Sequence, residues 1–288
     1  MSAAVARRGF TLVELTVALP LAILVAALAA VILVRQAQHV RTSESRSGAV
    51  RELRHARLTM ETDLASLNAE DVVSVADSLI EFRAHLGIAR SCAVDPTGSV
   101  TVTIADADRL WLAGLRAGDI ITLWRGGRSP TARPTSVRTT VLATATSTGR
   151  GSCGADTNQA RWNIPIAGVG PGTFLVGTPA RLQRLTRYSH YRSGTHWWLG
   201  RRTRDAHTWD GVQPLAGPLQ SYAKRGMRVH LVNAMGSITS ATDSAAALVV
   251  KLHAPRTVSM TPVAADESVH FEIAMRGAAA SARAVPSP

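Results

Sequence analysis

The chain has 288 residues and a formal net charge of +12, with 46% hydrophobic and 18% charged residues. That length holds one sizeable domain, or two small ones, beside a terminal segment. The basic balance suits nucleic acid, an anionic membrane surface or an acidic protein, but the cations are scattered arginines with only Lys224 and Lys251 as lysines, so no basic arm is encoded.

The first element is apolar. Arg7, Arg8 and Gly9 are followed from Phe10 to Val34 by a run with one charged residue, Glu14. As a helix rising about 1.5 Å per residue it would measure roughly 37 Å, more than the roughly 30 Å bilayer core. A buried helix of a soluble protein fits such a run poorly. A secretory signal peptide would have a shorter apolar core, about 7 to 15 residues, ending at small residues; this run passes directly into a polar helical stretch. An ionised Glu14 within lipid costs on the order of a few kcal/mol, so it needs a partner, a function or a place near the hydrated interface. Arg7 and Arg8 put the N-terminus on the cytoplasmic side, and Arg35 weakens that bias.

Gly9-Phe10-Thr11-Leu12-Val13-Glu14-Leu15 resembles the type IV prepilin signature. The resemblance implies that a prepilin peptidase cuts between Gly9 and Phe10, that Phe10 becomes the N-methylated first residue, and that Glu14 is the fifth. In that family the glutamate pairs with a neighbouring subunit's terminal amine and sets assembly register. The implied protein is held in the bacterial inner membrane, N-terminus cytoplasmic and C-terminal domain exported. It then joins a pilus or pseudopilus. Its implied partners are the peptidase, other major and minor pilins or pseudopilins, and inner-membrane lipid before assembly.

Pro20 removes a backbone donor inside the run, so a kink or local melting is expected there. From Arg35 to Leu67 the chain is polar but periodic: Val50, Leu53, Ala56, Met60, Leu64 and Leu67 recur every three or four residues, as on an amphipathic helix. Gly48 and Thr42-Ser43-Glu44-Ser45 weaken its continuity.

Beyond Asp71 the period becomes two. Leu79–Phe82, Val100–Ile104, Ile120–Trp124, Val137–Thr144, Gln183–Tyr188, Thr195–Gly200, Met227–Val232, Leu248–Leu252 and Val269–Met275 are expected strands. The glycines at 126–127, 149–151 and 168–172 are read as turns, since none has the context of a phosphate loop. Cys92 and Cys153 could pair in an exported compartment or remain two buried thiols. The expected organisation is a leader at 1–9, a membrane and assembly helix at 10–34, an amphipathic helical stem at 35–68, a β-rich exported domain at 69–276 and a disordered tail at 277–288. In fold class this is α+β: a long N-terminal membrane-spanning helix continuing into a stem packed on a C-terminal antiparallel β-rich domain.

The stem around Met60-Glu61-Thr62-Asp63-Leu64, Arg187-Tyr188 before Trp197-Trp198-Leu199, and Gln213-Pro214-Leu215 before two terminal strands are similar in order to PulJ- and PilW-type minor pilins. No catalytic, cofactor or metal motif is found. Nine dispersed histidines read as surface residues, and Asp106 and Asp108 as a turn. The leading expectation is a non-enzymatic minor pilin or pseudopilin of a type IV pilus or type II secretion pseudopilus. The alternative is a DNA-uptake or surface-binding subunit in which one of Trp197 and Trp198, among Arg192, Arg201, Arg202 and Arg204, touches nucleic acid.

Overall fold

A computed structural model describes residues 12–103, 112–125, 135–153, 156–170, 174–206, 208–255 and 268–275. Gly9, Phe10, Asp106, Asp108, Gly126, Gly127, Gly172, His207 and the tail 277–288 lie outside the described residues.

Helix α1 (Leu12–Leu64) runs for 53 residues. The helix runs through Pro20, the position at which a kink or local melting is expected. Gly48 is also inside it, with open space where a Cβ would project. Beyond Leu64, a single 3-10 turn at Ala69–Asp71 leads into the strands.

The strands are β1 (Val72–Ala76), β2 (Leu79–Asp95), β3 (Ser99–Thr103), β4 (Ile120–Arg125), β5 (Thr135–Thr140), β6 (Thr146–Cys153), β7 (Asp156–Pro165) and β8 (Pro179–Ser193). There follow β9 (His196–Asp205), β10 (Thr208–Trp209), β11 (Gln213–Leu219), β12 (Met227–Asn233), β13 (Ile238–Thr239), β14 (Ala245–His253) and β15 (Ser268–Ala274). Eleven form one sheet, ordered β10-β9-β8-β2-β3-β7-β6, with β1 on β2, β11 on β9, β4 on β8 and β5 on β4; four form a second, β13-β12-β14-β15. The pairings are antiparallel.

The 17-residue β2 and 15-residue β8 are the spine of the large sheet, paired from Leu79↔Ser189 to Arg90↔Pro179. A bulge between His85 and Gly87 inverts the side-chain parity of β2. Before it Ile80, Phe82 and Ala84 are buried; after it Ala89 and Ser91 are. One strand thereby serves two cores. The first joins the Leu53, Ala56, Met60 and Leu64 stripe of α1, with Leu67 just beyond it, to Ile80, Phe82, Tyr188 and Leu199 of the large sheet and to Val229, Leu231, Leu248, Val250, Phe271 and Ile273 of the small one. The second gathers Val100, Val102, Leu115, Ile121, Leu123, Ile164 and Leu182.

Two readings are corrected. Gly149 and Gly151 lie inside β6 and not in a turn, at register shifts against β7 where Gly149 takes a φ of 86°. The strand expected over Val137–Thr144 ends at Thr140, and Val141 makes only an isolated bridge to Ile166.

Candidate functional site

The part of α1 from Leu12 to Arg41 is long and apolar enough to cross a membrane, about 45 Å at 1.5 Å per residue. None of its most apolar stretch is buried against the protein. Leu15, Val17, Leu19, Ile23, Val25, Leu28, Val31 and Ile32 are all more than half exposed. An apolar surface of this length is unfavourable in water and demands lipid or other apolar helices around it. Glu14 occupies the first turn of the helix, the end at which the helix dipole favours a carboxylate. The Gly9–Phe10 bond lies outside the described residues.

The opposite end of α1 is anchored. Its apolar stripe repeats every three or four residues, so one face is buried while Arg57 and Glu61 pair across a turn at 2.8 Å on the other. Arg57 also lies over the Phe271 ring of β15, 6.0 Å from its centroid. In the last turn Asp63 accepts a 2.6 Å hydrogen bond from the Tyr188 hydroxyl and sits 3.2 Å from Nε of Arg201. Tyr188 is fully buried and its ring stacks on Phe82 at 5.6 Å. Burial first, then the Asp63 carboxylate, push the phenol far above its ordinary pKa and keep it a donor. The helix end is therefore fixed to β8 and β9 by a directional contact as well as by packing.

Two further carboxylates, each 1% exposed, tie down the loops beside this joint. Asp71 accepts from Nε2 of Gln183 at 2.8 Å, from Arg181 at 3.1 Å and from the Asn68 amide at 3.1 Å. Asp119 is gripped by Arg184 through both carboxylate oxygens at 2.7 Å, and accepts from the Arg116 amide at 2.9 Å. That hydrogen bonding raises the Arg184 pKa. Between the end of α1 and the large sheet lies a polar cleft of about 390 Å³ that includes Asp63, His85, Arg116, Arg184, Arg201 and Asp210. Its arginines are already engaged: Arg116 with Asp210, Arg184 with Asp119, Arg201 with Asp63. The Thr203 hydroxyl donates a 2.6 Å hydrogen bond to Asp210, the same carboxylate that pairs with Arg116. Among the described residues, no three His, Cys, Asp or Glu side chains are placed to hold a metal.

No family model, curated protein or solved structure matches this chain.

The structure places the other sequence candidates as follows. Cys92 of β2 and Cys153 of β6 are joined by a disulfide, Cα atoms 4.8 Å apart. Trp197 lies against His190, ring centroids 4.8 Å apart and tilted by 36°, while Trp198 packs over Gly217; neither is fully exposed. Arg201 is on the inner side with Asp63, whereas Arg202 and Arg204 both have the opposite parity, which is that of Trp198. His190, read as a surface histidine, is 9% exposed. Asp63, Tyr188, Asp71 and Asp119 were not singled out for these contacts by the sequence. The available signal was a carboxylate between Met60 and Leu64, beside the buried stripe of an amphipathic helix.

Proposed function

We propose that this chain is a minor pilin or pseudopilin, a structural subunit of a type IV pilus or type II secretion pseudopilus, with no catalytic role. One observation carries the reading: behind the Gly9–Phe10 signature, a wholly unburied apolar helix with Glu14 in its first turn continues without a break into a section clamped on a β-rich domain. In this account a prepilin peptidase cuts before Phe10, which is N-methylated. The chain waits in the inner membrane with its β domain exported. Assembly moves the apolar helix from lipid into a bundle of similar helices from other pilins. Residues from Arg35 to Leu64 act as a stem that carries the position of the packed helix rigidly to the β domain.

Glu14 sets register in this scheme, because an ionised carboxylate among apolar helices is stable only where a cation meets it. The terminal amine of a neighbouring Phe10 supplies one. Replacing Glu14 by Gln keeps the size and removes the charge. The expected result is normal processing and membrane insertion with at least a tenfold loss of the subunit from sheared or purified filaments, equivalent to about 1.4 kcal/mol or more of assembly free energy. Undiminished incorporation of E14Q would remove the register role.

A further inference from the structure

We propose that the outward face of the four-stranded sheet binds the phosphate backbone of a nucleic-acid duplex. This rests on the face alone and not on the assembly reading above. The inward face, Val229, Leu231, Leu248, Val250, Phe271 and Ile273, covers α1. Side chains of alternate parity therefore point away from it. The register sets Arg228 of β12 opposite Lys251 of β14, and Lys251 opposite His270 of β15. His230 and His253 follow two positions along their strands on the same face. With strands about 4.8 Å apart, these five groups form a basic grid in which Arg228 and Lys251 are the permanent cations.

What distinguishes this grid is that its arginine and its lysine are held by no carboxylate. Around the large sheet Arg116, Arg138, Arg181, Arg184, Arg187 and Arg201 each hold a carboxylate. Neither Arg228 nor Lys251 has an ion-pair partner among the described residues. The groups also repel one another: burial, then Lys251, Arg228 and His270, lower the pKa of His230, against an opposing pull from Asp77. Glu272, two strands from His230 and two residues from His270, is the acid on the face. A dense polyanion would relieve this repulsion and release its own counterions.

The observations favour a duplex over other anions. Among the described residues no Phe, Tyr or Trp lies on this face, and those are the large rings on which single-strand binding chiefly relies; the imidazoles are the only rings there. A protein interface would deplete charge at its centre and gather aromatics there. Inner-membrane headgroups are out of reach: Phe271 of β15 lies at Arg57, about 24 Å of helix beyond Arg41 at 1.5 Å per residue, against a Debye length of about 8 Å.

The test uses the full chain in non-ionic detergent and a fluorescent mixed-sequence DNA duplex, read by anisotropy across a salt series at pH 7.5 and 5.5. Binding is expected to weaken steeply with salt and to tighten at pH 5.5. Arg228→Gln with Lys251→Gln should weaken it about tenfold or more at low salt and reduce the log–log salt slope by about two. Replacing His230, His253 and His270 together by Gln should abolish the pH effect, and Arg202→Gln with Arg204→Gln, on the large sheet, should change nothing. Near-UV circular dichroism checks that each variant is folded, and the single R228Q and K251Q variants serve if the double does not fold. The proposal is overturned by absence of salt-sensitive duplex binding, by unchanged binding of R228Q/K251Q, or by preference for single-stranded DNA or phosphatidylglycerol vesicles over the duplex.

Discussion

Asp63 and Tyr188 are 125 positions apart in the chain and 2.6 Å apart in the fold. Removing the phenol oxygen with Tyr188→Phe deletes a hydrogen bond to a charged acceptor while leaving the ring on Phe82. The unfolding free energy should fall by about 1.5–3 kcal/mol in chemical denaturation; an unchanged midpoint would mean that packing alone fixes the helix end. His190 makes a different prediction. Burial lowers its pKa below the ordinary 6.5. Neither ring nitrogen makes a hydrogen bond of good geometry, although the Gln220 backbone lies near enough to favour the protonated form in part; burial outweighs it, so the fold binds the His190 proton less readily than the unfolded chain does. Because the unfolded chain takes up the proton first, the stability tied to a neutral His190 is complete above about pH 6.5 and is lost as pH falls below it. His85, also lowered by burial and by Arg181, adds to the same loss. His190→Gln should flatten the decline of melting temperature between pH 7 and 5, and an equally steep decline in the variant would assign it elsewhere. Glu14 was legible in the sequence because it is the only charge in an apolar run. The Asp63–Tyr188 pair was not, since no local pattern reports a contact made across the whole domain.

At the scale of elements, legibility followed the regularity of the period. β14 and β15 keep strict alternation and were read directly. β2 was read only over its first four residues, because the bulge at His85 and Gly87 flips the buried parity and polar residues such as Arg83 and Arg90 interrupt what remains. Arg83 pairs with Leu185 in the ladder while its guanidinium donates to the Glu70 carbonyl at 2.8 Å. β6 hid behind its glycines, which read as punctuation but serve as bulges against β7. β2 and β6 are stapled by Cys92 and Cys153, 61 positions apart. Closing a loop of that length stabilises by about 4 kcal/mol in the chain-entropy picture. Replacing both cysteines by serine should therefore lower the melting temperature by several degrees and make it insensitive to reductant. An unaltered melt would show that the second core holds β6 without the bridge.

On the scale of the whole molecule, the chain is a rod of about 80 Å, 53 residues at 1.5 Å each, with a two-sheet domain fastened around its last few turns. The apolar part of the rod has nothing of its own protein around it, and only its last turns, from about Ala49, are packed on the two sheets. Such a division makes sense for a subunit that exchanges lipid for neighbouring helices while its domain stays folded. Sequence periodicity conveyed the rod and the presence of strands after it; the split into two sheets depends on a parity inversion within β2 that composition does not announce. The central claim is that Gly9 and Phe10 form a processing junction. Intact-mass and N-terminal peptide analysis of the membrane-derived protein, with and without the prepilin peptidase, tests it directly. The account predicts a mature chain beginning at N-methylated Phe10 only when the peptidase is present. A chain that still begins at Met1 in both cases, or one cut beyond Val34, would contradict it.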